Sequence, residues 1–181
     1  MSEELKVLKE VARRREGAGF RYMVTGSIAV SYYAVPRMTR DIDIVVELSG
    51  PDADRICRLF EDDFCVDSGA VAEAIHARGM FNIIQNEFVI KMDFVVRKDS
   101  EYRREEFSRR RRVSVEGCAL FLVAPEDLIL SKLDRARESR SEVQLADVRN
   151  LLASVPDLDH AYLEHWASRL GLDALYREVR R

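Results

Sequence analysis

Two aspartates, Asp41 and Asp43, stand two positions apart in the run DIDIVV. In an extended strand alternate residues share a face, so these carboxylates point the same way, roughly 6–7 Å apart. Ile42, Ile44 and Val46 then form the opposite, apolar row. Upstream, with thirteen residues between, lies the Gly26-Ser27 pair, after the run YMVT. Glycine lets the backbone turn tightly, and a serine hydroxyl can cap the helix that follows. Such a turn leaves free N–H groups and the positive end of a helix dipole, a seat for phosphate. Hard carboxylate oxygens beside it suit divalent cations. Paired metals about 3.5–4 Å apart can hold both the attacking and the leaving oxygen of a displacement at phosphorus. By itself Gly-Ser reads better as an ordinary strand-to-helix turn, and its meaning comes from the acids.

A third acid fits the same arrangement. Residues 80–84 and 88–96 read as two antiparallel strands joined by Gln85-Asn86-Glu87. In the second, Phe88, Ile90, Met92, Phe94 and Val96 share one face, leaving Asp93 on the other with Val89 and Lys91. An acid in so apolar a strand is costly unless its face is wet or carries a metal. If this strand lies beside the one carrying Asp41 and Asp43, Asp93 falls about 5 Å from one of them. A wet edge strand is the alternative. Arg37 and Arg40 precede the first acid and could either contact phosphate oxygens or neutralise Asp41 and Asp43.

The positioning elements follow from periodicity. Leu5, Leu8, Val11 and Ala12 predict an amphipathic helix over 2–16, ended by Gly17 and Gly19, with a strand over 20–25 after it. Pro36 closes the helix after the glycine turn. Ser49-Gly50-Pro51-Asp52 opens another helix, extending to about Phe64, and a short one follows over 71–77. Residues 97–112 hold eight Lys or Arg and four Asp or Glu. This local excess suits a nucleic-acid backbone as well as it suits a solvated helix laced with charge pairs. A hairpin around Glu116-Gly117 precedes helices opening at Pro125, over 142–153, and near 158–170 and 172–180. Leu128, Ile129 and Leu133 face inward, and Lys132 can lie beside the acids. His76, His160 and His165 show no ligand spacing, and Trp166 reads as a core anchor.

Gly26-Ser27, the spacer and Asp41-Ile42-Asp43 together resemble the signature of the DNA polymerase beta-like nucleotidyltransferase superfamily. The nearer likeness is to small bacterial nucleotidyltransferases of the AbiEii type, found in toxin–antitoxin pairs. It is sharpest over 22–46 and followable to about 152. The resemblance implies an α+β (α/β) nucleotidyltransferase fold, a mixed β-sheet flanked by helices with a C-terminal helical part. It implies a core over 1–124 and a helical region over 125–181 packed on it. It also implies that Asp41, Asp43 and Asp93 bind two Mg²⁺ ions and act in catalysis, while Gly26 and Ser27 hold the β- and γ-phosphates of a nucleoside triphosphate. The stretch PEDLILSKLDRARESRSEVQLADVRNLL is similar to a segment in which a helix lysine is followed by an aspartate-bearing helix. Lys132 would then touch the phosphates, and Asp147 would orient the nucleotide or substrate. Many relatives carry a further acid before this aspartate, where here stand Val143, Gln144 and Ala146. The acceptor would be RNA (tRNA in particular), protein or a small molecule. The alternative is a catalytically silent nucleotide- or RNA-binding member, or one half of a toxin–antitoxin pair with an antitoxin partner.

Bulk properties agree with this class. The chain of 181 residues is long enough to bury a core, and 47% hydrophobic with 34% charged content is ordinary for a globular protein. A net charge of −3 exerts no overall pull on nucleic acid or membranes. No apolar run reaches the ~18–20 residues of a bilayer span, and the N-terminus lacks a secretory pattern. Cys57, Cys65 and Cys118 match no metal spacing, which fits reduced thiols and a cytoplasmic setting.

Overall fold

The computed structural model describes residues 2–36 and 41–180. Its sheet is built from β1 (Tyr22–Thr25), β2 (Asp41–Val46), β3 (Phe64–Val66), β4 (Met80–Gln85), β5 (Ile90–Val96), β6 (Arg111–Val115) and β7 (Cys118–Leu122). These seven strands lie in the order β3-β4-β5-β2-β1-β7-β6. The centre is mixed: β2 runs antiparallel to β1 and parallel to β5, and β1 runs parallel to β7. The helices are α1 (Glu3–Gly17), α2 (Gly26–Tyr33), α3 (Ala53–Phe60), α4 (Ser68–Ala77), α5 (Glu101–Ser108), α6 (Pro125–Ser139), α7 (Glu142–Ser154), α8 (His160–Arg169) and α9 (Asp173–Val179). This is the α+β arrangement expected from the pattern, a mixed sheet flanked by helices. Among the described residues no helix is long and apolar enough to cross a membrane.

Strand parity divides the sheet into two faces. One face carries Tyr22, Ile44, Met92 and Phe94, all buried, and is covered by α1 and α3. Phe94 stacks on Phe81 at 5.1 Å between ring centroids and meets Phe60 of α3 at 6.0 Å. The opposite face carries Thr25, Asp43, Val45, Asp93 and Val95, and is partly roofed by α6. One hydrophobic cluster runs from α1 through the sheet into α6, α7, α8 and α9, including Leu133, Leu145, Leu163 and Val179. Trp166 is part of it, 5.0 Å from the Tyr102 ring.

Local differences from the expected elements have physical causes. The helix placed up to Phe64 stops at Phe60, and Phe64–Val66 adds a three-residue edge strand against β4, too short to show alternation. The expected strand from Phe88 begins at Ile90, because Val89 adopts φ 54° and the Gln85 Oε1 accepts the Phe88 N–H at 2.7 Å. The basic run over 97–112 is not a free cationic patch. Arg103 donates to Glu106 and Ser131, Arg109 to Asp127 and Glu126, and Arg97 to Glu47. Arg110 packs its guanidinium on the Phe107 ring at 4.5 Å.

Arg15 of α1 is the largest departure from binary patterning. Its side chain is fully buried, and none of its three guanidinium nitrogens has a hydrogen-bond partner. It lies between the rings of Tyr22, at 5.3 Å, and Phe94, at 5.2 Å. Burial pushes its pKa down to about 9, while the ring faces attract the cation. Desolvation and ring attraction oppose each other here. Replacing Arg15 by Met is therefore expected to leave stability unchanged or raise it by up to about 2 kcal/mol in urea unfolding. A larger loss would show that the ring contacts win.

Candidate active site

The site is assembled where β1 hands over to α2. Tyr22, Met23 and Val24 anchor β1 in the core, and the chain turns at Gly26 with φ 66°. A side chain at Gly26 would collide with Asp43: a Cβ there would fall 2.7 Å from Asp43 Cγ and 2.9 Å from its Cβ, and nearer still to Oδ2. Glycine is required twice over, by its left-handed backbone and by this approach. Ser27 does not cap α2 as expected. The cap position is Thr25, whose side chain makes no cap hydrogen bond, and Ser27 sits one residue inside the helix, buried.

Register places the acids. In the antiparallel β1–β2 pair Thr25 stands opposite Asp43, and in the parallel β2–β5 pair Asp43 stands opposite Asp93. Asp41 lies on the same face as Asp43, one pleat further along, exposed and opposite Lys91. The side chains of Asp43 and Asp93 are only 16% and 13% exposed, so each needs a counter-charge. Lys91 supplies one: its Nζ lies 2.9 Å from each Asp93 oxygen and donates to Oδ2. The hydrogen bond to Asp93 raises the Lys91 pKa, with the charges of Asp93, Asp41 and Asp43 adding to it. Arg135 supplies a second, its Nη2 being 3.8 Å from Asp43 Oδ1. Among the described residues no group of three His, Cys, Asp or Glu stands as a ready-made metal ligand set. The three aspartates form a register pair with a third, exposed carboxylate beside it.

Beside this pair a cavity of about 160 Å³ opens under α6, floored by Val45 and Val95 and bounded by Thr25 and Gly26. Lys132 and Arg135, three residues apart on α6, share its wall with Arg97 and Lys98. Lys132 is fixed by Asp147 of α7, Nζ to Oδ2 at 2.8 Å, with both side chains 3% exposed. The trio of half-buried Arg103, buried Glu106 and half-buried Ser131 ties α5 to α6 at the far wall, with Ser131 Oγ donating to Glu106 Oε1 at 2.8 Å. Arg37 and Arg40 lie outside the described residues. Sequence reasoning paired Lys91 with Asp93 only as a face-mate and missed Arg135. The parity of Lys91 with Asp93, and the helical spacing of Arg135 from Lys132, were the available signals.

Two stability measurements check this geometry. Gly26→Ala puts a Cβ in a left-handed position and against Asp43, and is expected to cost at least about 1–2 kcal/mol in urea unfolding. Lys132→Met leaves a buried carboxylate without its cation, and is expected to cost about 3–5 kcal/mol, most of it recovered when Asp147→Leu is added.

No family model matches the chain, and no curated protein matches it. Solved structures do. ANT(2")-Ia, solved in complex with adenylyl-2"-tobramycin, superposes with a TM-score of 0.60 at 13% identity, over 99% of this chain and 100% of that one. An antigenic nucleotidyltransferase-like protein from Paracoccidioides brasiliensis gives 0.58 at 17% identity, over 84% of this chain and 76% of that one. The lincosamide antibiotic adenylyltransferase LnuA, solved with lincomycin, gives 0.56 at 12%, over 86% and 98%. At these identities the likeness is one of fold, and the fold of this chain is that of the nucleotidyltransferases.

Proposed function

We propose that the protein transfers a nucleoside monophosphate from a nucleoside triphosphate to an acceptor hydroxyl. The observation that carries this reading is the register pairing of Asp43 with Asp93, with Asp43 packed on Gly26, a residue that lines a cavity walled by Lys132, Arg135, Arg97 and Lys98. The donor set suits magnesium: the carboxylates are hard oxygen ligands, and the absent Cβ of Gly26 lets the Asp43 carboxylate pack against the turn. Asp41, Asp43 and Asp93 would hold it. Bound there, it would lower the pKa of the attacking hydroxyl and draw charge from the leaving pyrophosphate.

The chain's own residues do the rest. The Gly26 turn and the first turn of α2, with Ser27, present backbone N–H groups to the β- and γ-phosphates. Lys132, held by Asp147, and Arg135 face the same phosphates from α6. Asp147 is thus a positioning residue, and the AbiEii-type likeness of 125–152 supports this use of Lys132. The acceptor oxygen forms a bond to the α-phosphorus as the bond from that phosphorus to the bridging oxygen breaks. Pyrophosphate departs, and the hydroxyl proton passes to a carboxylate of the cluster and on to solvent. Arg37 and Arg40, by sequence, would add phosphate contacts. The named substrates of the structural neighbours are antibiotics, so small hydroxylated molecules join tRNA and protein as acceptor classes.

The test is incorporation of label from the four α-³²P nucleoside triphosphates with magnesium, offered a tRNA pool, a protein extract, an aminoglycoside and a lincosamide. Asp43→Asn is expected to lower transfer by at least about 10²–10³-fold, and chelator to abolish it. Equal incorporation by wild type and variant would refute the reading.

A further inference from the structure

Lys91 stands in the acidic cluster without a task in the proposed mechanism. Strand parity puts it on the face of Asp93, two residues back along β5. Its ammonium lies 2.9 Å from each Asp93 oxygen and donates to Oδ2. Oδ1 is shut off from solvent and accepts no hydrogen bond, and the Asp93 side chain as a whole is 13% exposed. A hard carboxylate oxygen without a donor is a ligand in waiting. An approaching ion meets the ammonium, however. Magnesium about 2.1 Å from either oxygen would lie no more than about 5 Å from a nitrogen that is itself 2.9 Å from both. Cations that close repel each other strongly in so buried a place. The ammonium has somewhere to go, because the Lys91 side chain is 43% exposed and its stem is long and flexible.

We propose that Lys91 gates the metal site: its ammonium holds Asp93 in the unloaded protein, and a divalent cation gains this ligand only as the ammonium turns out to solvent. The inference rests on the nucleotidyl-transfer reading and deepens it. No covalent bond changes; one cation replaces another on a carboxylate. Of the two acids paired by register, Asp93 is the one whose release limits loading. Asp43 has its counter-charge at 3.8 Å, on Arg135 of a different element, whereas the Asp93 partner sits in hydrogen-bonding contact. A bare divalent ion must displace that ammonium against the full repulsion between them. An ion arriving on a triphosphate brings negative oxygens, which lower its net charge and the repulsion with it. The gate therefore favours metal delivered with nucleotide over metal alone.

The test uses Mn²⁺ alone, titrated into the full chain without nucleotide, with the free ion measured by electron paramagnetic resonance. Lys91→Met and Lys91→Gln are each expected to bind Mn²⁺ at least about 10-fold tighter than wild type. The gain is expected to vanish when Asp93→Asn is added. Lys91→Arg keeps a cation on the acid and is expected to bind as wild type does. Lys6→Gln removes the same charge from an exposed position on α1, over the opposite face of the sheet, and is also expected to match wild type. Equal affinity in wild type and both Lys91 variants, each folded by circular dichroism, would overturn the gate, while Asp43-dependent binding in them would leave the transfer reading standing. An equal gain in Lys6→Gln would overturn the gate too, as an effect of net charge. No Asp43-dependent Mn²⁺ in wild type or in either Lys91 variant would sink both readings. If Lys91→Met does not fold, Lys91→Gln carries the same comparison.

Discussion

The site depends on a pairing that simple electrostatics opposes. Asp43 and Asp93 stand opposite one another on adjacent parallel strands. Two carboxylates about 5 Å apart repel by about 3 kcal/mol at an effective dielectric near 20. What holds the register is the other face. Ile42, Ile44, Met92 and Phe94 are fully buried there, and a slip of one residue would exchange acids and core residues on that strand. Burying four large side chains stabilises by far more than the repulsion costs, at roughly 1.5–3 kcal/mol each. The apolar rows thus hold the polar row in a geometry it would not choose.

The repulsion that remains is answered locally, and by separate elements. Lys91 comes from the strand of Asp93, Arg135 comes from α6, and Gly26 gives Asp43 room by having no side chain. Of these, α6 is the most dependent on its surroundings. Its inner side, Leu128, Ile129 and Leu133, is buried in the common core, while the Lys132–Asp147 pair and the Arg103–Glu106–Ser131 group brace it from α7 and α5. A helix held by a buried ion pair on one side and a half-buried charge-assisted network on the other has little freedom to shift its cationic wall. The price is that neither pair can lose a member cheaply.

The sequence made some of this legible and hid the rest for identifiable reasons. Period-two alternation in 41–46 and 88–96 exposes the strands and the face of each acid, because one row is uniformly apolar. Neighbour relations are another matter. That β5 lies parallel to β2, with Asp93 opposite Asp43, depends on a crossover through α3, β3, α4 and β4 that no local pattern encodes. The strand Phe64–Val66 was invisible because three residues cannot show a period. The basic run over 97–112 was ambiguous by composition, and it is the charge-paired reading that the structure bears out, with Arg103, Arg109 and Arg110 bound to partners distant in sequence or to rings. Arg15 reads as a helix-surface cation, and only the packing of Tyr22 and Phe94 shows it inside.

The division of charge across the cavity bears on what can fill it. Lys132, Arg135, Arg97 and Lys98 line it over the apolar floor of Val45 and Val95, and Gly26, which also lines it, touches Asp43 of the acidic row. A simple anion would satisfy the wall and be repelled by the acids, and a simple cation would do the reverse. An occupant that carries both signs in the right order would match both groups. Under the proposed function a triphosphate with its divalent cation would be such an occupant, held by the carboxylates together with Gly26 and α6. On that reading, selection for the complex over free nucleotide or free metal would rest on the charges carried by two elements, β2 and α6, whose inner sides are both buried in the common core.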